Sequence, residues 1–424
     1  MTALPAAGTA QVRNSLSPLS QKANGFSRRD PWLALPPPDF ALLKRLNLIV
    51  FFDYAVSLAM FEKGGMLERE LSLYRRIRPM LKTLTLITWS RGADAKFKPL
   101  LAADGIDLIF SERGWPYEFW LPWLTATFGW RFRGPRILKT NQFSGGQFIR
   151  WIARIHRTPL IARCGYSHEL NRAREFGESH PVARAAAKLE RSLFRSSDHV
   201  VVTSDQIAAR AKAAGAPDDR ISVAPNYVDT RLMAPPESRR SFPPAGVPLR
   251  AIFVGRLVES KNVSLIIEAL GEVPGNSLDV IGDGPLLDSL KQQAEDAGVD
   301  VRFLGNLPHL RVAEHLRSAD LFIFPSAYEG HPKSLLEAMA CGLPVIAGDS
   351  PGIREAVRHR ETGLLVPLNV EGARAALQEL RRDPAFADRL GRNARDEITS
   401  TMSLDHAVER ELRVLSHVTR KRWG

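Results

Sequence analysis

Cysteine is almost missing. Two residues in 424, Cys164 and Cys341, exclude a disulfide scaffold and any four-cysteine zinc site, and they point to a reducing compartment. Long apolar runs are missing as well. The most apolar stretch, residues 46–61, carries Asp53 and is too short to cross a bilayer. The first forty residues have no apolar core of the kind a secretory signal needs. These absences predict a cytoplasmic protein without a transmembrane helix. No G-x-G-x-x-G opens the first helix of either half, which argues against a nicotinamide oxidoreductase. No short period marks a solenoid.

What is present fits a globular chain. Apolar residues make up 44% and charged residues 25%, a balance that excludes a mostly disordered or fibrous protein. The length exceeds one ordinary core and suits two domains. Charge is unevenly spread: of the net +12, residues 1–230 hold 33 basic and 20 acidic side chains, and residues 231–424 hold 25 and 26. Such asymmetry fits an anionic partner, whether nucleic acid, anionic lipid or a phosphorylated ligand. A solvated basic surface that serves only solubility is the plainer alternative.

Residues 1–40, rich in Ala, Ser and Pro and closing on Pro36, Pro37 and Pro38, show no helical or strand period and predict a flexible leader. Short β-rich runs then alternate with amphipathic stretches. Strands are expected at 46–52, 84–89, 106–110, 137–140, 159–163 and 199–203, with helices such as 67–81 and 182–194 between them. A proline-rich break (Pro235, Pro236, Pro243, Pro244, Pro248) precedes a second series. Its strands are expected at 250–254, 278–281, 301–304, 321–324, 344–347 and 363–366, its helices at 263–270, 285–297, 310–317 and 333–340. The last helix is bounded by Pro332 in its first turn and by Gly342 as a left-handed cap before Pro344. This alternation predicts an α/β protein of two doubly wound parallel-sheet domains, 41–230 and 231–405. A C-terminal helix over 406–424 is expected to pack back on the first domain.

Open parallel sheets bind ligands beyond the carboxyl ends of their strands. In the second half those ends carry Gly255 and Arg256 with Lys261 five positions on, then Gly282-Asp283-Gly284-Pro285, then Leu304 with Gly305-Asn306, then 325–331 with Glu329 and His331. Four strand ends thus place glycines, two cations and a carboxylate on one rim. Gly282 and Gly284 let backbone approach a ligand near a helix start, although a tight turn explains them equally. Arg256 and Lys261 can neutralise a leaving diphosphate, with surface ion pairing as the alternative. Glu329 and Glu337 can accept hydrogen bonds from a sugar ring and a ribose; helix-dipole complementarity is the alternative. That alternative suits Glu337 less, because its helix is otherwise apolar and a carboxylate there must find partners.

The segments GRLVESKN (255–262), GDGP (282–285), FLG (303–305), EGHPKSLLEAMACGLPVIAGDSPGIREAV (329–357) and TGLLVP (362–367), in that order, resemble the nucleotide-sugar half of retaining glycosyltransferases of family 4. LERSLFRSSDHVVVTS (189–204) and VAPNYVDT (223–230) resemble the end of that family's first domain and the linker entry. The resemblance implies the GT-B fold, two Rossmann-like domains facing a central cleft. It implies that Arg256 and Lys261 contact the donor diphosphate, Glu329 a donor-sugar hydroxyl, Glu337 the ribose, and the backbone around Leu304 and Gly305 the base. Ser334 and Leu335, at the start of the Glu337 helix, fall in the same donor-binding group. It also implies metal independence and no cofactor, consistent with the lack of an Asp-x-Asp motif near a strand end. His331-Pro332 stands where the family often has Phe-Gly; His331 is then a sugar contact or a helix cap, and Pro332 removes a backbone donor.

In the first half, Gly64 and Gly65 follow the first strand, and the family often has such a pair facing the donor phosphates. Lys139, Asn141, Arg163, Tyr166 and His168 follow later strands and are candidates for the acceptor side. No carboxylate nucleophile stands out, so the resemblance implies that leaving and attacking groups share one face and that the leaving phosphate takes the acceptor proton. Five of the eight tryptophans fall between Trp115 and Trp151, interleaved with Arg131, Arg133, Arg136, Arg150, Arg154 and Arg157. They form either an interfacial surface for lipid headgroups or a buried aromatic core with solvated arginines. No single-strand platform or recognition-helix motif favours nucleic acid. The expected function is transfer of a sugar from a nucleoside diphosphate donor to a glycan or lipid-phosphate-linked acceptor, in envelope or exopolysaccharide synthesis, in the cytoplasm or on the cytoplasmic face of a membrane. A nucleotide-sugar epimerase or hydrolase, or a non-catalytic basic membrane-binding protein, are the alternatives.

Overall fold

The computed structural model describes residues 35–54, 56–238, 240–271 and 275–424. Most of the expected leader lies outside them. From Leu35 the expectation of a flexible leader fails, because the chain there is anchored. Leu35 is buried and its carbonyl accepts from Arg413 at 2.7 Å. The Asp39 amide donates to Ser416 Oγ at 2.9 Å, and the Asp39 carboxylate caps the helix Phe40–Leu43.

The chain forms two compact units: residues up to 60, 70–224 and 405–424 in unit 1, and residues 61–69 and 225–404 in unit 2. Unit 1 is built on a parallel sheet of β1 (Asn47–Phe51), β2 (Thr83–Ile87), β3 (Asp107–Ile109), β4 (Arg136–Thr140), β5 (Leu160–Cys164), β6 (His199–Val202) and β7 (Ile221–Val223), in the order β3-β2-β1-β4-β5-β6-β7. All five side chains of β1 are buried, as a strand covered on both faces requires. Unit 2 repeats the plan with β8 (Arg250–Val254), β9 (Ser277–Ile281), β10 (Asp300–Gly305), β11 (Leu321–Phe324), β12 (Val345–Gly348) and β13 (Leu364–Val366), in the order β10-β9-β8-β11-β12-β13.

Strand order reverses at β1/β4 in unit 1 and at β8/β11 in unit 2, with Phe51 opposite Thr140 and Phe322 opposite Ile252. These switch points are where a doubly wound sheet leaves a crevice beyond its strand ends.

Two boundaries differ from the sequence expectation. Residues 61–69, expected in the N-terminal domain, pack with unit 2, because Gly65 meets the Leu307 backbone and Arg69 pairs with Glu337. The proline-rich stretch after 230 is not a free connection. Phe242 is buried and its amide donates to Asp388, while Arg395 donates to the carbonyls of Thr230, Met233 and Ala340. The helix Leu404–Trp423 is tied into unit 1 through Glu411 to Lys139 and Asp405 to Arg76. No helix among the described residues is long and apolar enough to cross a membrane.

Candidate active site

At the β8/β11 switch point of unit 2, the turn Glu259–Lys261 follows β8 and residues 325–331 follow β11. The two loops are stitched together: the Ala327 amide donates to Ser260 O, and Asn262, in the left-handed region at φ 49°, donates its side chain to Pro325 O at 2.8 Å. This brings Lys261 Nζ onto Glu329 Oε1, and 5.0 Å from the centre of the Phe324 ring. Both side chains keep some exposure, 18% and 13%. Arg256 is exposed nearby in sequence, at the end of the same strand. Lys261 and Glu329, both expected on this rim, thus lie side by side.

The helix Lys333–Ala340 begins four residues after Glu329, with Pro332 rather than His331 in the cap position. Its first N–H groups have no acceptor within the helix and carry the positive end of its dipole. Ser334 is half-buried there, and the Leu335 side chain is fully buried in the core of unit 2. His331 is buried too, and Asn226 holds its carbonyl at 2.7 Å. His331 stands one residue before the cap position Pro332, buried within unit 2.

The glycines have a different role from the one the sequence suggested. A Cβ on Gly282, at φ 137°, would stand 1.9 Å from Gly255 O, and one on Gly284 would stand 2.3 Å from Leu257 O. What these glycines admit is the neighbouring strand's own backbone. Gly65, at φ 69°, likewise lies against Leu307 O, where a Cβ would be 2.0 Å away, and Gly64 is partly exposed beside it. Leu304 and Gly305 end β10, and the Gly305 carbonyl accepts from Gly282 at 2.8 Å, which ties the β9 and β10 loops.

Glu337 is 2% exposed and is held by two residues that sequence reasoning did not single out. Oε1 accepts from Arg69 at 3.3 Å and faces His309 Nε2 at 3.0 Å. Burial alone would raise its pKa, but the Arg69 charge and the His309 hydrogen bond outweigh it and hold the carboxyl below its ordinary value. The apolar helix around Glu337 was the signal that such partners had to exist. Their identity was hidden because Arg69 lies 268 residues away.

In unit 1 the acceptor-side candidates separate. Lys139 is 1% exposed and pairs with Glu411 at 2.5 Å. It is a buried strand residue bound to the C-terminal helix and does not line a rim, which corrects its assignment. Asn141 is buried, accepting from Tyr74 Oη at 3.1 Å, and its carbonyl accepts from Arg163 at 3.2 Å. The rings of Tyr166 and His168 pack against each other at a tilt of 31°, their centres 4.9 Å apart, beyond β5. Burial, with the Arg172 charge, lowers the His168 pKa to about 4, so its ring is neutral near pH 7. Burial raises the Cys164 thiol, which argues against a nucleophilic role. Asp53, two residues beyond β1, joins this cluster, although in the sequence it stands out only as the charge that interrupts an apolar run.

The tryptophans divide as well. Trp120 is in the core at 2%, while Phe119, Trp123 and Trp130 are 69%, 39% and 72% exposed on the helix Tyr117–Arg131. A groove of about 1030 Å³ in unit 1 is lined by Trp115, Trp120, Trp123, Trp130, Phe110 and Phe132.

Two family models match the chain: "Glycosyl transferases group 1" over residues 236–397 and "Glycosyl transferase 4-like domain" over 72–227, together well over half of it. The chain is 31% identical to a glycogen synthase of Mycobacterium tuberculosis over 59% of its length and 61% of that protein's. It is 34% identical to a GDP-mannose-dependent α-(1-6)-phosphatidylinositol monomannoside mannosyltransferase of Mycolicibacterium smegmatis, over 50% of this chain and 59% of that one. It thus spans about three fifths of the length of these curated relatives. In fold it is similar to HepE of Anabaena, solved with UDP and glucose, at a TM-score of 0.68 and 20% identity, covering 87% of this chain and 99% of that one.

Proposed function

The chain belongs to the group 1 glycosyltransferases of GT-B fold, and from that membership we propose that it moves a glycosyl residue from a nucleoside diphosphate sugar to a hydroxyl of a glycan or lipid-linked acceptor, with retention and without a metal. The observation that carries this is the Lys261–Glu329 pair at the β8/β11 switch point, set against a helix N-terminus. In the free protein Glu329 neutralises Lys261. A donor diphosphate displaces Glu329 from that cation, with Arg256, five residues earlier in the chain, as the second positive charge, and Glu329, released, can accept from a donor-sugar hydroxyl. The bond from the anomeric carbon to the diphosphate breaks as the acceptor oxygen bonds on the same face, and the acceptor proton passes to the departing phosphate oxygen. Glu337, fixed by Arg69 and His309, supplies a rigid carboxylate for the ribose. Lys261 and Arg256 supply the charge compensation for the departing diphosphate.

The relatives' names include glycogen synthesis and a phosphatidylinositol mannoside acceptor, which supports a polysaccharide or lipid-linked product. A thermal-shift panel of UDP-glucose, GDP-mannose and related donors tests donor binding; a donor at a hundredfold excess over its Kd stabilises by about 2.7 kcal/mol. A donor that stabilises wild type but not Lys261→Ala supports the assignment, and no response to any nucleotide sugar sinks it. Product analysis without acceptor separates transfer from hydrolysis or epimerisation.

A lipid-linked acceptor is favoured by the exposed aromatics. Phe119, Trp123 and Trp130 fall within about 40° on their helix at 3.6 residues per turn. Trp151 and Ile155, 48% and 49% exposed, repeat the spacing on the helix Gly146–Ile155 with Arg150 and Arg154 alongside. This composition suits an anionic bilayer surface. Sedimentation with phosphatidylglycerol vesicles at low salt, lost in Trp123→Ala/Trp130→Ala, is the expected result; no sedimentation of the wild type ends the membrane assignment.

A further inference from the structure

The rim of unit 1 holds two polar atoms with nothing to bond. Asp53 Oδ1 and His168 Nε2 are both buried without a hydrogen-bond partner among the described residues. Buried polar groups ordinarily find partners, so an orphaned oxygen and an orphaned ring nitrogen in one cluster ask for an occupant. Their position matters more than their isolation. Asp53 stands two residues beyond β1, whose neighbour β4 runs on into Asn141 and Gln142, at the strand-order reversal of this sheet. Around it the Gln142 amide donates to the Asp53 carboxylate, and Tyr166 and His168 follow β5.

We propose that Asp53 binds a hydroxyl of the acceptor: Oδ1 accepts from a sugar or polyol hydroxyl at the β1/β4 switch point, and His168 Nε2 bonds a second oxygen of the same molecule. The inference rests on the transferase assignment above and adds to it a residue and a proton state. The groups that face Asp53 are Arg163 from β5, Glu70 from the helix Leu67–Ile77 and Tyr166 from the loop after β5. Burial raises the Asp53 pKa to about 7, opposed by the Arg163 charge and reinforced by Glu70. Near neutral pH the carboxyl is therefore half-ionised. Only the ionised form presents two acceptor oxygens, so acceptor affinity rises as pH passes upward through 7. Burial and the Asp53 charge also raise the Tyr166 pKa, keeping the phenol protonated and able to donate.

The test is steady-state transfer from UDP-glucose and GDP-mannose to octyl and p-nitrophenyl glycosides of glucose, mannose and galactose, from pH 5.5 to 9, with Asp53→Asn and His168→Gln. Asn matches Asp in shape but cannot ionise. Expected for Asp53→Asn is an acceptor KM raised about tenfold or more, the scale of a lost hydrogen bond to a charged group. Donor KM and acceptor-free donor hydrolysis should stay within about twofold of wild type, and the pH dependence of acceptor kcat/KM should flatten around 7. His168→Gln should raise acceptor KM while keeping the wild-type pH profile. An unchanged acceptor KM and pH profile in Asp53→Asn overturns the proposal while leaving the transferase assignment intact. A wild type that releases nucleoside diphosphate from neither donor, with or without glycoside, overturns both.

Discussion

Replacing Glu337 by alanine should unfold unit 2 at a markedly lower temperature, and the size of the effect follows from its surroundings. The carboxylate is 2% exposed and satisfies Arg69 at 3.3 Å and His309 at 3.0 Å. Alanine leaves the buried His309 and the largely buried Arg69 without their shared acceptor, in a place water reaches poorly. Breaking a buried pair by removing one partner costs about 3–5 kcal/mol. For a unit of this size that corresponds to roughly 6–20 °C in melting temperature. Glutamine keeps the shape and one acceptor oxygen and should cost much less. The pH dependence has a definite sign. Because the folded-state pKa of Glu337 is lowered, its contribution is present above the unfolded value, near 4.5, and is lost as pH falls through the folded value. Calorimetric melts from pH 3 to 8 should therefore show wild type and Glu337→Gln converging at the acid end. If Glu337→Ala melts within about 2 °C of wild type at pH 7, the network does not stabilise the unit and this account of the helix Lys333–Ala340 is wrong. The same numbers make Gln, rather than Ala, the informative variant for donor binding.

Other consequences can be checked on the same protein. Gly65→Ala forces a side chain onto Leu307 O at a positive φ and should lower the melting temperature of unit 2 by several degrees, about 2–4 °C per kcal/mol; an unchanged melt would show that residues 61–69 are not packed as described. Lys139→Met strands Glu411 and should cost about 3–5 kcal/mol, whereas Lys139→Met/Glu411→Leu should recover most of it, a pattern a denaturant double-mutant cycle resolves. Asp53, with a pKa raised from 3.8 to about 7, contributes stability that is full below 3.8 and lost as pH rises through 7. Asp53→Asn should accordingly melt above wild type at pH 8 and level with it at low pH, by at most about 4 kcal/mol on the scale of 1.36 kcal/mol per pKa unit; equal melts at pH 8 would remove the strained carboxylate.

The sheets were legible because their strands are short apolar runs between turn residues, and buried parallel strands leave that trace. β7 was missed, since Ile221–Val223 is too short to carry a pattern. Lys261 and Glu329 could be placed because each follows a strand end by a few residues, and adjacent strands bring their loops together. Residues whose role depends on distant contacts were not legible. Arg69 and His309 meet Glu337 only in the fold, and Lys139 reads as a strand-end cation until Glu411, 272 residues on, closes over it. Gly282 and Gly284 show a third kind of limit. Their sequence says that some backbone comes close, and only the structure says that it belongs to Gly255 and Leu257. Asp53 was hidden inside the stretch that most resembled a membrane segment, where its charge looked like an interruption.

The anomeric configuration of a single-turnover product decides between retention and inversion at the Lys261–Glu329 site. Wild type and Lys261→Ala, incubated with 13C-labelled UDP-glucose or GDP-mannose and an octyl glycoside, are followed by the anomeric NMR signal. Expected from wild type is a new glycoside with the donor's own anomeric configuration, and its loss in Lys261→Ala while that variant still melts cooperatively as a folded protein. An inverted product, or full activity in Lys261→Ala, would contradict the proposed reaction at this site.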